Sequence, residues 1–271
     1  MVAVLDAGLG AAALLRRPVT GRVVSVHRRA AYLRLDTQRS GAGPSGEDGE
    51  LVALVAPGVE PGPLHVRVTD LPACRAGERV TGDGSTLAGP RWAVGGPGTV
   101  WRGSAPALGP VDDALLRPAL DAVAGQPTRT TLEELAAELG GRGPGLTPAG
   151  DDVLAGLVLV ARIAGGEPAE PGLADLVAGV RTTEVSRAFL AWAARGQSIA
   201  PAHDWLDAVA AGDAAEARRA LARLHAVGAD SGRHLGAGLA LGLCRTGAGQ
   251  LPRVVSQTAR ATAGPSLRQR T

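Results

Sequence analysis

The stretch GLTPAGDDVLAGLVLVARIAGG, residues 145–166, decides how the C-terminal half of this chain folds. Thr147 can cap a helix whose first residue is Pro148, because a Thr hydroxyl accepts from first-turn N–H groups and Pro fits the first helical position. Residues 153–161 are apolar on every side of such a helix, which indicates central burial. The pattern therefore predicts a core helix over residues 148–164, with Asp151 and Asp152 near its N-terminus.

The two acids have a structural and a functional interpretation. In the first, they complement the helix dipole, and Gly143 and Gly145 only allow a tight turn. In the second, the helix N-terminus is an anion site, and the buried carboxylates find partners in Arg side chains, a metal ion or substrate N–H groups. Adjacent helical side chains point about 100° apart, so at most one acid faces a given pocket.

A second segment, SGRHLGAGLALGL (residues 231–243), repeats the glycine spacing of the first. Gly232 and Gly238 match Gly150 and Gly156, and small residues at this spacing let helix backbones approach closely. The repeat predicts two helices packed together with both N-termini at one site. Chance repetition in a Gly- and Ala-rich chain is the alternative.

Between these segments, RTTEVSRAFLAWAARGQ (residues 181–197) places hydroxyl groups near two arginines. Thr182, Thr183 and Ser186 fall on or near one face of a predicted helix, beside Arg181 and Arg187. Either this is the polar face of an amphipathic helix, or it supplies donors for a carboxylate or phosphate.

Periodicity divides the chain into two parts and predicts the α+β class. Residues 1–104 favour short strands with frequent turns, which predicts a small β-barrel or sandwich-like domain. Hairpins are expected at 21–36 and 91–103, strands at 51–56 and 64–70, and a surface loop at 37–50. Residues 105–251 predict a mainly α-helical domain carrying GLTPAGDD, and 252–271 a flexible tail. The expected helices cover residues 111–124, 131–139, 148–164, 173–194, 204–210, 213–226 and 231–245.

Composition excludes several function classes. The chain of 271 residues has no Lys, which removes Schiff-base and Walker-type chemistry. Aromatic residues are 2% of the chain, too few for base stacking, and with a net charge of +2 we expect no nucleic-acid partner. Lone Cys74 and Cys244, no signal-peptide pattern and no long apolar run predict a soluble cytoplasmic protein without membrane association.

The pattern GxGPGLTPxGDDxLxG, then TTxxS, then a late SG…AGLxLGL resembles the AllH-like family, in which subunits of oxamate carbamoyltransferase are named. The resemblance extends from about residue 141 to 243. Two positions depart from the family: Ala149 stands where members usually have Ser, and His234 where many have an acid.

The resemblance implies carbamoyl transfer between oxalurate or oxamate and phosphate during allantoin (purine) catabolism, in a complex with two other subunit types. Such acyl transfer passes through an oxyanion-bearing transition state and needs positioned donors. The alternative function is a non-catalytic subunit that binds a small anion or acts as a scaffold, since no activated nucleophile is evident.

The candidate site follows from these observations. Asp151 and Asp152 are the catalytic candidates, either accepting from substrate amide N–H groups, which we favour, or holding Mg²⁺ between themselves and phosphate. The candidate substrate- or anion-binding residues are Gly143, Gly145, Thr147, Gly150, Thr183, Ser186, Ser231 and Gly232. A second tier comprises Arg142, Arg181, Arg187 and His234, of which His234 could act as a general base. The other histidines, His27, His65, His203 and His225, have no recognisable partners and are expected to be structural or on the surface.

Overall fold

A computed structural model describes residues 1–36, 49–96, 98–121 and 131–247. The N-terminal part is a sheet of nine strands that curls on itself. The strands are β1 (Val4–Gly8), β2 (Pro18–Val26), β3 (Ala30–Asp36), β4 (Glu50–Val55), β5 (His65–Val68), β6 (Arg79–Asp83), β7 (Thr86–Gly89), β8 (Trp92–Gly95) and β9 (Val100–Trp101). Their order in the sheet is β8-β7-β6-β2-β3-β4-β5-β1-β9. Val2 bridges to Val94 of β8, which joins the two sides of the sheet into a barrel.

The predicted hairpin at residues 21–36 is confirmed, since β2 and β3 pair antiparallel from Thr20↔Asp36 to Val26↔Ala31. The predicted hairpin at 91–103 is wrong. Here β8 pairs with β7, while β9 pairs in parallel with β1. The reason is closure of the barrel: the segment after β8 leaves its neighbour and completes the far edge of the sheet. Residues 37–48 of the predicted surface loop lie outside the described part.

The C-terminal part is helical, which confirms the α+β prediction. The predicted capping box is present, since Thr131 accepts from the Glu134 N–H and the Glu134 side chain accepts from the Thr131 N–H. The predicted tail, residues 252–271, lies outside the described residues. The helices are α1 (Leu9–Leu15, within the barrel part), α2 (Asp113–Leu120), α3 (Leu132–Leu139), α4 (Ala149–Gly165), α5 (Glu170–Ala178), α6 (Glu184–Ala194), α7 (Ala200–Ala210), α8 (Ala214–His225) and α9 (Ser231–Gly247), with a short 3-10 turn (Glu167–Ala169) before α5.

The single helix predicted over residues 173–194 is in fact two helices. It breaks between Ala178 and Glu184, because Thr183 is extended (φ −67°, ψ 159°) and its side chain caps the next helix by accepting from the Ser186 N–H. Thr and Ser compete with the helical backbone in this way, so they start helices more readily than they continue them. Thr182 and Thr183 therefore lie before α6 rather than on its face.

The barrel and the helices have separate apolar cores but are joined by specific contacts. His203 Nδ1 donates to the Ser104 carbonyl at 2.6 Å, and its Nε2 accepts from the Ser198 N–H at 2.9 Å. Burial lowers the pKa of His203, so the neutral ring holds the two segments together. Arg34 of β3 forms a bidentate pair with Glu184 in the first turn of α6. These bonds fix α6 against the barrel.

Candidate active site at the paired helix ends

Helices α4 and α9 pack against each other in parallel through their glycines. A Cβ atom at Gly156 would lie 2.5 Å from the Leu235 carbonyl oxygen, and one at Gly238 would lie 2.0 Å from that of Val153. Real side chains cannot approach a backbone so closely, so the glycines are required for this contact. Further along, Gly242 faces Val160. The helix pairing predicted from the repeat is confirmed.

The N-terminal ends of the two helices meet through side chains. The Thr147 and Ser231 hydroxyl oxygens are 2.9 Å apart, and Ser231 is close enough to the Asp152 carboxyl to act on its pKa. The prediction that Thr147 caps α4 is wrong, because the capping position is Pro148, which is extended (φ −54°, ψ 143°), and no side chain caps the helix. The Thr147 hydroxyl instead joins the start of α4 to the start of α9.

Asp151 is buried, with 2% of the residue exposed, and its carboxylate binds two other segments of the chain to α4; we call this arrangement the clasp. Its Oδ1 accepts from the Gly141 N–H at 2.7 Å, and its Oδ2 accepts from the Thr182 hydroxyl. Gly141 adopts a positive φ of 72°, which few residues other than glycine tolerate. Both carboxylate oxygens of Asp151 are thus used to hold the segment after α3 and the segment before α6 against α4.

Replacing Asp151 with Ala should strongly destabilise the fold. The change leaves the Gly141 N–H and the Thr182 hydroxyl without a partner, and each lost bond to a charged group is worth about 1.5–3 kcal/mol. Asp151→Asn is the matched control: its amide oxygen can still accept from Gly141, while the Thr182 hydroxyl can turn to accept from the amide nitrogen. Urea unfolding should rank wild type above Asn and Asn well above Ala; equal stabilities for Ala and Asn would contradict the clasp.

Asp152 has the opposite environment. Its Oδ2 is inaccessible to solvent and has no hydrogen-bond partner among the described residues. Burial raises the pKa of Asp152 to about 8, with a smaller upward contribution from Asp151, while the Ser231 hydrogen bond acts to lower it. At neutral pH this carboxyl therefore carries its proton for most of the time. A carboxyl held neutral can donate a hydrogen bond or a proton, which an ordinary Asp cannot.

The segment of residues 141–147, here called the glycine loop, is held at three points. Asp151 binds its first residue, the Thr183 and Ser186 hydroxyls both donate to the carbonyl of Leu146, and Ser231 meets its last residue. The three hydroxyls predicted between α4 and α9 (Thr182, Thr183 and Ser186) thus position the loop. Sequence reasoning missed Gly141 and Leu146 as parts of this arrangement, although the pair Gly140–Gly141 at the start of the loop was a signal.

Within the loop, Gly143 and Gly145 have φ values of 117° and 96° and are exposed. No hydrogen bond from their N–H groups to another described residue is present, so these donors face solvent. By contrast, the N–H of Gly150 donates to the Arg142 carbonyl at 2.9 Å and that of Gly232 to the Val227 carbonyl at 3.1 Å. The donors open to a ligand are therefore in the loop and not at those two glycines.

The charged candidates surround this site without entering the clasp. Arg142 and Arg181 are exposed, and the Arg187 guanidinium donates to the Thr182 carbonyl at 3.3 Å. His234 is partly buried in the first turn of α9, three residues after Ser231 and hence on the same helix face. Its backbone N–H donates to the Asp230 carbonyl at 3.1 Å.

The donor set does not fit Mg²⁺. The ion prefers several oxygen ligands in octahedral geometry, whereas Asp151 uses both of its carboxylate oxygens in hydrogen bonds within the chain. Across the described ranges, no group of three or more His, Cys, Asp or Glu side chains is placed to hold a metal ion. A metal ion therefore has no part in the chemistry proposed for this site.

Residues 139–243 match the family model described as oxamate carbamoyltransferase subunit AllH. The matched stretch begins at the end of α3, includes the glycine loop and extends into α9, and the barrel lies outside it. The chain matches no curated protein and no solved structure at a significant level. None of the helices in the described ranges has the length and apolar character needed to cross a bilayer.

Proposed function

We propose that this chain is a subunit of an oxamate carbamoyltransferase-like enzyme, which moves a carbamoyl group between oxalurate and phosphate in allantoin breakdown. The observation that supports the proposal is that the family match covers the paired helix ends, where the buried Asp152 Oδ2 has no hydrogen-bond partner among the described residues. The subunit description of the family further supports an assembly with other chains.

The proposed reaction has a defined balance. A phosphate oxygen attacks the ureido carbon of oxalurate, a C–O bond forms, and the C–N bond to the oxamate nitrogen breaks. The departing nitrogen must gain a proton, and in this proposal the Asp152 carboxyl supplies it through Oδ1, because Oδ2 is closed off from solvent; its pKa of about 8 suits proton transfer near neutral pH. The carboxylate left behind recovers a proton from solvent or from phosphate before the next turnover.

The remaining groups position the substrate. The exposed N–H groups of Gly143 and Gly145 stabilise the oxyanion that develops on the carbamoyl oxygen, and Arg142 or Arg181 neutralises the oxamate carboxylate or phosphate. Ser231 links Asp152 to Thr147 and fixes the direction of the carboxyl. Because these groups lie on the loop and on the two helix ends, the pairing of α4 with α9 controls their geometry.

The test is phosphate-dependent release of oxamate from oxalurate, measured with the purified chain alone and with the other subunits of the complex. Asp152→Asn keeps the shape of the side chain but removes the proton donor, so activity should fall at least about 100-fold, the lower range for a general acid. Asp175→Asn, the same change at an exposed position of α5, is the matched control and should leave activity unchanged. Wild-type activity for Asp152→Asn in the complete complex would contradict the proposal.

A non-catalytic subunit is the second candidate, and one observation favours it: Asp151 and the loop hydroxyls are all engaged within the chain. In that case the glycine loop binds an anion or a neighbouring subunit without chemistry. Asp152→Asn would then leave both turnover and assembly of the complex intact.

A further inference from the structure

A groove of about 390 Å³ lies on the outer face of the barrel, far in sequence from the glycine loop. It is formed by β2, β3 and β6 together with the turn before β6, and none of the candidate site residues lines it. Its volume falls within the roughly 300–1,000 Å³ typical of small-molecule sites. The lining residues are Thr20, Gly21, Arg22, Arg34, Asp36, Gly77 and Arg79.

Strand register brings three arginines of the groove into one row. Arg22 of β2 is the direct partner of Arg79 on β6 and of Arg34 on β3. Directly opposite residues in antiparallel strands project on the same face of a sheet, and neighbouring strands lie about 4.8 Å apart. The residues that follow Arg22 and Arg79, Val23 and Val80, are buried in the barrel core. The row therefore stands on the outer face.

The charges of this row are only partly compensated. Arg34 is paired with Glu184 of α6. The guanidinium groups of Arg22 and Arg79 make no ion pair and no side-chain hydrogen bond with any residue in the described ranges. Asp36, the acid in the groove lining, accepts from the Thr20 hydroxyl at 3.0 Å. Like charges directly opposite on neighbouring strands destabilise a sheet, so the row carries an energetic penalty that a bound anion would relieve.

We propose that this groove binds the phosphate group of a small phosphorylated ligand. A guanidinium presents planar pairs of N–H donors that match phosphate oxygens, and a tetrahedral dianion can accept from Arg22 and Arg79 at once. Arg34, held by its ion pair with Glu184, borders the groove beside these two arginines. A carboxylate carries a single negative charge and therefore balances only one of the two guanidinium charges. The groove lies outside the family match and is a site distinct from the one at the helix ends.

The groove also borders the machinery that holds the glycine loop. Glu184, the partner of Arg34, directly follows Thr183, whose hydroxyl binds the Leu146 carbonyl. A ligand in the groove would therefore lie beside Arg34, whose ion pair with Glu184 connects it to the first turn of α6. The proposal itself needs only that the ligand binds, and it is independent of any activity at the loop.

The experiment is calorimetric titration of the full chain with inorganic pyrophosphate at low ionic strength, with thermal melting in parallel. Wild type should bind, and Arg22→Gln and Arg79→Gln should each weaken binding about 10-fold or more, the equivalent of one lost charged hydrogen bond. Pyrophosphate should raise the Tm of wild type and not that of the double variant. Arg91→Gln, an exposed position of the barrel outside the groove, is the matched control and should bind like wild type.

Three results would overturn the proposal. One is the absence of pyrophosphate binding by wild type. Another is that Arg91→Gln weakens pyrophosphate binding as much as the groove substitutions do. The weakening would then reflect the lower net charge of the chain and not the groove. The third is oxamate binding as tightly as pyrophosphate with the same dependence on Arg22 and Arg79, which would replace the phosphate specificity with general anion binding. Because both groove substitutions remove exposed like charges, we expect their circular dichroism to match wild type.

Discussion

Replacing Gly238 with Ala should separate α9 from α4 and lower the stability of the whole helical part. The added Cβ would lie 2.0 Å from the Val153 carbonyl oxygen and 2.8 Å from its carbon, so the backbones must move apart. Overpacking of this kind costs about 1–3 kcal/mol and more where backbone atoms clash. Ala gains about 1 kcal/mol over Gly in helix propensity, which offsets only part of the loss. Urea unfolding should show a net loss of about 2 kcal/mol or more.

The matched control lies two residues earlier in the same helix. A Cβ at Gly236 would meet the side-chain ends of Leu224, Leu221 and His225, at 3.3, 3.5 and 3.6 Å, and no backbone atom is among these three nearest contacts. Gly236→Ala should therefore be neutral or slightly stabilising. The double variant Gly156→Ala/Gly238→Ala should lose less unfolding free energy than the sum of the two single variants. The first substitution already pushes the two helices apart, so the second added Cβ meets a smaller clash. Equal stabilities for Gly236→Ala and Gly238→Ala would contradict the close packing.

The pairing of α4 with α9 could be predicted from sequence because it depends on residue size. Gly156 and Gly238 occupy matching positions in two apolar helices, and the absence of a side chain is visible in the sequence itself. The two acids show the limit of the same reasoning. Asp151 and Asp152 are identical and adjacent, yet one is fully hydrogen-bonded and the other is left with a buried free oxygen. That difference arises from Gly141, Thr182 and Ser231, which lie at long sequence separations.

Barrel closure shows a similar limit. Alternating apolar residues identified β2 and β3, and short segments bounded by Gly or Pro identified β4 and β5, since each of these signals is local to one strand. The same pattern could not reveal that β9 pairs with β1 instead of β8, because pairing depends on which edge remains open after the sheet curls. The row of three arginines is likewise hidden in sequence: it becomes visible only once the register of β6, β2 and β3 is known.

Replacing Asp152 with Asn should remove a pH-dependent loss of stability. In the native state the Asp152 pKa is raised from 3.8 to about 8, with burial the main cause. The native state therefore holds a proton that the unfolded chain releases, and stability falls as the pH rises from about 4 towards 8. Within this window the slope from this one group is at most about 1.4 kcal/mol per pH unit. Asn stays neutral at every pH, so the variant should be more stable than wild type at pH 8 and should lack this contribution to the slope.

Two further variants make the comparison specific. Asp175→Asn is the same change at an exposed position of α5 and should keep the wild-type slope. Ser231→Ala removes the hydrogen bond that acts to lower the pKa of Asp152, so the window should extend to higher pH. The measurement is the free energy of unfolding in urea from pH 4 to 9, with each variant subtracted from wild type to remove the other titrating groups. A difference in unfolding free energy between wild type and Asp152→Asn that stays constant across this range would mean that Asp152 is ionised in the native protein. An ionised Asp152 could not act as the proton donor.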